Sequence, residues 1–337
     1  MLHQADPGCK REPAQRPAPV PRVLVTGVDG AVGANIALWL GRRAEVFGLY
    51  EDHQVALPGC EIDRWDPRRP AMIRGMVRGA GPNWIVHCGP LACGSWDLFQ
   101  NFRSLKDFGS LRAQETAVCG ELLDAAEHLG ASLTSVLTDA VFAGPRMFHD
   151  EQSPAAGQEP PAMAARGVER LLEGRRALVV RTHAYGWGSR AAEPTFAERV
   201  WMALAEGLPC PLDPRRHATP ILASDLADIL WLAYRRGLEG LYHVAGAERA
   251  SAFRFAHELA GLAGLPMPDQ AAEPPTAVSP AGSVWETSLN TRRARQELGR
   301  PMPMLREGLA RFVAQVRDGT RAQLQSSSAV LAQPEAA

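Results

Sequence analysis

Short apolar runs alternate with stretches of helical periodicity through the N-terminal half of the chain. The spacing of apolar positions predicts helices over Ala31–Leu40 and Glu115–Leu129. Runs rich in Val, Leu and Ile predict buried β-strands over Arg22–Thr26, Glu45–Tyr50, Trp84–Cys88, Ser132–Leu137 and Ala177–Arg181. Strands separated by helices of this length indicate a doubly wound α/β domain, in which helices cover both faces of a parallel sheet.

The pattern changes after about residue 186, where proline-rich loops separate shorter elements. Ser224 and Asp225 are typical of an N-cap and a first helical turn, and Ser251 is typical of a second N-cap. The elements predicted here are helices over Pro194–Glu206, Ser224–Tyr234 and Phe253–Ala263, and a strand over Gly240–Val244. They predict a smaller C-terminal lobe over the carboxyl edge of the sheet, where open α/β folds bind ligands.

Composition sets the outer boundaries of these two regions. Residues 1–21 are rich in Pro, Arg, Gln and Ala, which predicts a disordered leader. Residues 318–337 lack clear periodicity and predict a flexible tail. The sheet domain is therefore expected at 22–186 and the smaller lobe at 187–317, with helices of the lobe returning to the first domain.

The overall charge narrows the kinds of partner. The formal net charge is −1, so no general field is expected to draw the chain to nucleic acid or to an anionic membrane. The first residues contain no apolar signal region, and no run of 18 apolar residues is present to span a bilayer. We therefore expect a cytoplasmic protein with neither a nucleic acid nor a membrane as partner.

The six cysteines are scattered and form no C-x-x-C pair, as is usual for reduced thiols. His87 and Cys88 are neighbours on a predicted strand, so their side chains are expected on opposite faces. No metal site is predicted.

A glycine-rich turn joins the first strand to the first helix. Gly27, Gly30 and Gly33 follow the spacing G-x-x-G-x-x-G directly after a buried strand. In such a turn the first glycine permits a tight exit, the second lets backbone approach a pyrophosphate, and the third lets the helix pack closely. The helix N-terminus offers free N–H groups to the phosphates. The turn therefore predicts a dinucleotide-binding Rossmann domain that takes NAD or NADP.

The end of the second strand bears on the choice between these cofactors. Glu51 and Asp52 follow that strand, where an acid holds the ribose 2′-hydroxyl and repels a 2′-phosphate. A solvated loop charge is the alternative for either acid. Arg42 and Arg43 precede the strand and weaken the preference. On balance the sequence favours NAD over NADP.

Several further motifs follow in a specific order along the chain. They are V-T-G-V-D-G-A-V-G from Val25, W-I-V-H-C from Trp84, L-T-D-A-V-F-A-G from Leu137, V-V-R-T-H-A-Y-G from Val179, R-H-A-T-P-I-L-A-S-D-L-A from Arg216, G-L-Y-H-V-A-G from Gly240 and S-L-N-T-R-R-A-R-Q-E-L-G from Ser288. Together they resemble the extended short-chain dehydrogenase/reductase superfamily, and within it the dTDP-4-dehydrorhamnose reductase group, the RmlD-like sugar-nucleotide-binding proteins. The resemblance implies a nicotinamide cofactor and a nucleotide-sugar ligand.

The resemblance also assigns roles by position, which makes 22–186 the NAD(P)-binding domain and 187–317 the substrate-binding lobe. Cofactor contacts are implied for Gly27, Gly30, Gly33, Asp63, Gly89 and Pro90. Thr138 matches the catalytic Ser/Thr of the family. Substrate contacts are implied for Arg216, His217 and Thr219.

The catalytic Tyr-x-x-x-Lys pair of the family is missing. The tyrosines are Tyr50, Tyr185, Tyr234 and Tyr242, none with a lysine four residues on, and Lys106 is the last lysine. One alignment places Pro161 and Ala165 at the pair's positions, and the other places Met163 and Gly167 there. A positioned proton donor contributes roughly 10²–10⁴-fold in rate, so reduction by the family mechanism is not expected.

A replacement donor is a separate question. His183, Asp139 and Tyr185 are candidates, with packing or turn roles as the alternatives. Arg166 is a candidate for the charge of the missing lysine, although it supplies no phenol.

Three functional hypotheses remain. The first is a catalytically degenerate family member that binds NAD(P) and a nucleotide sugar as a sensor or regulatory subunit, with a protein partner or in a homodimer. The second is an active nucleotide-sugar oxidoreductase with a replacement proton donor. The third is an interaction protein that binds no cofactor.

Overall fold

The computed structural model describes residues 20–101, 106–189, 193–210, 212–268 and 285–326. Most of the predicted leader, and the tail beyond residue 326, lie outside the described residues. No helix in the described part is long and apolar enough to cross a membrane.

A seven-stranded parallel sheet forms the centre of the first domain. Its strands are β1 (Arg22–Thr26), β2 (Glu45–Tyr50), β3 (Cys60–Arg64), β4 (Trp84–His87), β5 (Ser132–Thr138), β6 (Ala177–Thr182) and, from the C-terminal half, β10 (Gly240–His243). Their order is β10-β6-β5-β4-β1-β2-β3, and each neighbouring pair is parallel. The predicted doubly wound sheet is confirmed, but β10, which was expected in the smaller lobe, extends the edge of the main sheet instead.

Eleven α-helices are present in the described residues. They are α1 (Ala31–Leu40), α2 (Ala71–Ala80), α3 (Ser95–Asn101), α4 (Lys106–Leu129), α5 (Pro160–Leu172), α6 (Phe196–Glu206), α7 (Ala223–Arg235), α8 (Ala252–Ala263), α9 (Arg292–Leu298), α10 (Leu305–Arg317) and α11 (Thr320–Gln325). A short 3₁₀ turn, Asp139–Val141, follows β5. The predicted bounds of β1, α1 and β2 are confirmed.

Alternating side chains along the strands build two hydrophobic cores, one on each face of the sheet. On one face, Val23 and Val25 of β1 pack with apolar residues of α1, α7, α8 and α10. On the other face, Leu24 of the same strand packs with residues of α2, α4 and α5. Helices cover both faces of the central strands, which is why the sequences of these strands are continuous apolar runs.

The smaller lobe contains the remaining short strands. β8 (Arg216–Ala218) lies between β11 (Ala250–Ser251) and β12 (Trp285–Glu286), while β7 (Ala184–Tyr185) pairs with β9 (Ile221–Leu222). Both small sheets are built from the segments that follow β6.

Two capping predictions have different outcomes. Ser251 caps α8 as predicted, because its hydroxyl accepts the N–H of Arg254. Ser224 does not cap α7: that helix begins one residue earlier, with Leu222 in extended conformation as its N-cap. Pairing of β7 with β9 holds Leu222 in that conformation.

The predicted flexible tail is wrong at its start. Helix α11 occupies Thr320–Gln325, and Leu324 is fully buried in the core on the α1 face. A single apolar side chain in a polar stretch gives no periodic signal, but burial of Leu324 fixes the segment against the sheet domain.

Candidate functional site

The glycine turn brings backbone into contact with backbone at the carboxyl edge of the sheet. Gly27 has φ +66°, and a Cβ there would lie 1.8 Å from the Cys88 carbonyl oxygen. A Cβ on Gly33 would lie 2.1 Å from the Gly27 carbonyl oxygen. Gly30 is less constrained, since its nearest neighbour would be 3.3 Å away. No other residue fits at Gly27 or Gly33 without moving the backbone.

The N-terminus of α1 is open beside this turn. Gly30 is its N-cap, and no side chain caps the first N–H groups. A cleft of about 190 Å³ lies in front, lined by Gly30 and Val32, by Gly89 and Pro90 after β4, and by the segment after β6. Unpaired N–H groups and the positive end of the helix dipole suit an anion such as a pyrophosphate.

The segment after β6 is tied across the glycine turn. The Ser189 hydroxyl donates to the Asp29 carbonyl, and the buried Asn35 amide donates to the Trp187 carbonyl at 2.8 Å. These bonds hold the far wall of the cleft against α1.

The Asp29 side chain fixes the loop beyond β2, a role that the sequence did not suggest. Its carboxylate accepts the N–H groups of Glu51 and Asp52 at 3.1 and 2.9 Å. This contact places the backbone of Glu51 next to the glycine turn.

Glu51 does not carry the charge that the sequence argument gave it. Burial, together with the nearby carboxylates of Glu115 and Asp29, raises the pKa of Glu51 to about 8. At neutral pH the carboxyl is mostly protonated, and in that form it does not repel a phosphate.

A series of buried polar side chains contacts the end of β4. Thr26 and His87 are partners in the β1–β4 register, and their Oγ1 and Nδ1 atoms are 2.7 Å apart. His87 Nε2 lies 3.5 Å from the Glu115 carboxylate of α4. Burial opposes protonation, but Cys119 and Glu115 outweigh it and hold the pKa of His87 well above its usual value. Glu115 also lies under Gly89, where a Cβ would be 2.4 Å from its Oε2.

Sequence reasoning missed Glu115, which lies within α4 among the apolar residues Leu111, Val118, Cys119 and Leu122. An acid on an otherwise apolar helical face is the signal that could have found it.

Asp63 lies apart from the other cofactor candidates. Its carboxylate accepts the N–H of Arg64 at 2.7 Å. It lines a shallow cavity with Leu49 and Met76 on the α2 face of the sheet. A second cavity, beyond the end of β2, is lined by Glu51 and Trp65 among others, and Asp63 does not line it.

The ends of β5 and β6 bring two replacement-donor candidates together. Thr138 and Thr182 are register partners, so Asp139 and His183, the next residues, become neighbours. The Asp139 carboxylate is 2.8 Å from His183 Nδ1. It also accepts hydrogen bonds from Ser95, through both backbone and hydroxyl, and from the Thr287 hydroxyl.

This Asp139 cluster is sealed. Asp139 and Thr138 are fully buried, and His183 is 2% exposed. The Thr138 hydroxyl accepts the Ala140 N–H and so caps the 3₁₀ turn. A Cβ on Gly94 would lie 2.8 Å from His183 Nε2, and the Trp96 ring packs edge-on to the imidazole. The Asp139–His183 pair is held in one geometry with no space beside it for a sugar.

Helix α5 carries no acidic proton donor at either alignment of the missing pair. Pro161 and Ala165 are buried, whereas Met163 faces outward. Gly167 packs against Arg112 and Thr116 of α4.

Arg166 does not replace the missing lysine here. Its guanidinium donates to the Ala155 carbonyl at 2.8 Å. That bond secures the loop before α5.

Tyr185 is also unsuitable as a donor. Its ring is buried, and the hydroxyl points at Gly308, where a Cβ would be 2.7 Å away. Burial and the nearby Asp225 raise its pKa well above the usual value.

The predicted substrate loop contributes two of its three residues to an accessible surface. Arg216 and His217 are half-buried on β8, with the Arg216 guanidinium 5.4 Å from the centre of the Trp285 ring. Thr219 is fully buried, and its hydroxyl accepts the Leu289 N–H at 3.1 Å. The Thr219 hydroxyl thus joins two backbone segments, and its contact with a substrate stays a prediction.

Among the described residues, no group of three or more His, Cys, Asp or Glu side chains is arranged to hold a metal ion.

The parallel sheet with helices on both faces is a Rossmann-type α/β fold, and solved structures share it. The family model described as "RmlD substrate binding domain" matches residues 21–318, and the chain belongs to this family. The resemblance drawn from the short motifs is thus confirmed. No curated protein matches the chain in sequence.

Solved structures share the fold at low identity. A hypothetical dTDP-4-dehydrorhamnose reductase from Sulfolobus tokodaii has a TM-score of 0.67 at 20% identity, covering 82% of this chain and 94% of its own. The dTDP-4-dehydrorhamnose reductase of Bacillus anthracis, in complex with NADP, has a TM-score of 0.68 at 20% identity. The match covers 89% of this chain and 100% of the reductase. Bordetella bronchiseptica WbmG, in complex with NAD and UDP, has a TM-score of 0.71 at 17% identity. The match covers 92% of this chain and 98% of WbmG.

Gly27→Ala is expected to destabilise the fold far more than Gly130→Ala. Both glycines have nearly the same positive φ, +66° and +65°, but a Cβ at Gly130 meets nothing within 4 Å. Left-handed backbone alone costs about 1–2 kcal/mol. Denaturant unfolding should show Gly27→Ala losing at least about 2 kcal/mol beyond Gly130→Ala. Equal losses would contradict the backbone contact described here.

Glu51→Gln should flatten the pH dependence of stability. The folded pKa of about 8 exceeds the ordinary 4.5, so the folded chain keeps a proton that the unfolded chain releases. The free energy of unfolding therefore falls as pH rises through that interval, by at most about 1.4 kcal/mol per pH unit. Urea unfolding at several pH values measures the slope. The control, Asp52→Asn, removes an exposed carboxylate from the same loop and should keep it; identical slopes in wild type and Glu51→Gln would refute the assignment.

Proposed function

We propose that this protein binds NAD(P) at the glycine turn and a nucleotide sugar beside it, without reducing the sugar by a tyrosine–lysine mechanism. It then acts as a sensor or regulatory subunit, through a protein partner or a second copy. The observation that carries this proposal is the contrast between an intact binding turn and an α5 helix without phenol or amine.

The cofactor half is supported by fit. The contacts at Gly27 and Gly33 form a cradle that a Cβ would fill, and α1 presents uncapped N–H groups to it. Related folds carry such ligands: the Bacillus anthracis structure holds NADP, and WbmG holds NAD and UDP.

The loss of turnover is supported by the chemistry left at the reaction end of the cleft. Carbonyl reduction needs an acid that delivers a proton to the developing alkoxide. Tyr185 is buried against Gly308, and the Asp139–His183 pair is enclosed by Ser95 and Trp96. No described acid of this set is open to a ligand.

A binding protein of this kind converts ligand concentration into stability. A ligand that binds only the folded state at 100 times its Kd stabilises that state by about 2.7 kcal/mol. The far wall of the cleft is held by the Ser189–Asp29 and Asn35–Trp187 contacts, which join the segment after β6 to the glycine turn and α1. Occupancy of the cleft therefore bears directly on how the lobe is held.

The Asp139–His183 contact favours a second candidate function, that of an active oxidoreductase. A carboxylate at Nδ1 orients an imidazole and stabilises its protonated form, as in other acid–base pairs. In this scheme a nicotinamide cofactor bound in the cleft would be the source of hydride for the sugar carbonyl, and His183 Nε2 would supply the proton. It requires movement of the Gly94 backbone to admit the sugar.

The test follows tryptophan fluorescence during titration with NADH and NADPH. A dTDP-4-keto sugar is then added, and the absorbance of the reduced nicotinamide is recorded. We expect saturable cofactor binding and no oxidation above the rate in buffer.

Two variants separate the alternatives. Steady oxidation by the wild type would overturn the proposal. If this oxidation is lost in His183→Gln and kept in Tyr185→Phe, the second candidate is correct. The Tyr185 hydroxyl has no hydrogen-bond partner among the described residues, so its removal breaks no contact there. If neither nucleotide binds, the proposal is overturned, and the hypothesis of an interaction protein without cofactor remains.

A further inference from the structure

We propose that the groove between α1, α7 and α10 is an effector site for a free α-amino acid with an apolar side chain, and that its occupancy strengthens nucleotide binding in the cleft. The groove is a separate place on the molecule, since no described residue lines both it and the cleft. The site itself stands apart from the proposed function, whereas its regulatory role rests on nucleotide binding at the glycine turn.

The groove has a volume of about 390 Å³, which is within the range of small-molecule sites. Each of the three helices contributes one face to it. Helix α1 presents Leu38 and Trp39, α7 presents Ser224, and α10 presents Ala314 and Gln315. The lining is therefore polar, with one apolar strip formed by Leu38, Trp39 and Ala314.

A buried amide provides an independent sign of a ligand. Gln315 lines the groove and is only 7% exposed. Its Nε2 atom donates to the Ser224 hydroxyl at 3.3 Å, but its Oε1 atom has no hydrogen-bond partner among the described residues. Buried polar atoms are normally paired, so a ligand with an N–H or O–H donor is expected here.

The C-terminal end of α10 favours a positive charge on that donor. Asp318 is the C-cap of α10 and also lines the groove. Its carboxylate and the negative end of the helix dipole both attract a cation. An ammonium group satisfies these two requirements and supplies the N–H that Gln315 lacks.

One arginine of the groove is available for an anion. Arg42 follows α1, and its guanidinium makes no hydrogen bond or ion pair among the described residues. Arg43 instead lies 3.7 Å from the centre of the Trp39 ring, and Arg311 is paired with Asp225 at 2.8 Å. A guanidinium binds a carboxylate through two parallel N–H bonds, so Arg42 suits a ligand carboxylate.

These groups together define the class of ligand. The groove offers a cation in Arg42, an acceptor in Gln315 and an apolar surface on Leu38 and Trp39. A free α-amino acid carries a carboxylate, an ammonium group and a side chain on one carbon atom, so a single small molecule matches all three. An amino acid blocked at both ends lacks the two charges and does not match.

The groove is connected to the cleft through Trp187, whose neighbours Gly186 and Gly188 line the cleft. From α1, the Asn35 amide donates to the Trp187 carbonyl at 2.8 Å. From α10, the Phe312 carbonyl accepts the Trp187 indole N–H at 3.1 Å, and the two rings stack at 4.1 Å. Both helices that line the groove thus hold the same residue of the cleft wall. A ligand that joins α1 to α10 stabilises this arrangement and, by linkage, nucleotide binding.

The experiment measures binding of L-phenylalanine and L-leucine to the full chain by calorimetry, first without nucleotide. N-acetyl-L-phenylalanine amide is the control ligand. We expect the free amino acids to bind with a Kd below about 1 mM and the blocked one to give no heat. NADPH is then titrated with and without saturating L-phenylalanine, which should tighten NADPH binding about fivefold or more.

Two variants locate the site. Gln315→Leu removes the unpaired acceptor at similar size, and Arg42→Ala removes the cation. Each should weaken amino-acid binding about tenfold or more and abolish the effect on NADPH. Arg78→Ala is the matched control, because Arg78 is an exposed arginine in the last turn of α2, on the opposite face of the sheet. It should change neither measurement.

The outcomes separate this inference from the proposed function. No heat with either free amino acid, or binding that survives both groove variants, overturns the effector site while the proposed function stands. Amino-acid binding that leaves NADPH affinity unchanged overturns the regulatory role. Failure of NADPH to bind overturns the proposed function and the regulatory role, and amino-acid binding still decides the site.

Discussion

Backbone meeting backbone at the glycine turn is the contact on which the rest of this structure depends. Gly27 lies against the Cys88 carbonyl of β4's exit, and Gly33 lies against Gly27 itself. This packing brings α1 down onto the sheet edge and leaves its first N–H groups facing the cleft. Because no side chain intervenes, the geometry tolerates no substitution by a larger residue, and it is independent of any catalytic group.

The two ends of the cleft differ in how their polar groups are used. Beyond β2, arginines make loose contacts around a cavity, and the Asp29 carboxylate accepts the N–H of Glu51. At the reaction end, Asp139 is saturated by donors from Ser95, His183 and Thr287. A saturated, buried carboxylate stabilises a fold but offers nothing to a substrate. Arginine side chains are thus accessible beyond β2, whereas the Asp139 carboxylate and the His183 imidazole are enclosed.

Prediction from the sequence succeeded where the signal was local. The apolar run and the glycine spacing predicted β1 and α1 with the correct bounds, because strand burial and turn conformation there depend on adjacent residues. It missed β3 and α2, where the strand is half-exposed at the sheet edge, and it missed α11, in which Leu324 is the one buried residue. The sequence did not reveal the N-cap at Leu222 or the internal hydrogen bond of Thr219, because contacts with distant segments set both.

The sequence by itself determined the class of fold, the position of the nucleotide turn and the absence of a tyrosine–lysine pair, because each is a matter of residue type at a fixed spacing. Only the tertiary structure decided which polar groups meet. Asp139 joins His183 because β5 and β6 end in register. The pKa of Glu51 is raised because its carboxyl is buried, and the nearby carboxylate of Glu115 adds to this effect. Protonation state and access depend on burial and on neighbours far along the chain, and neither can be obtained from spacing.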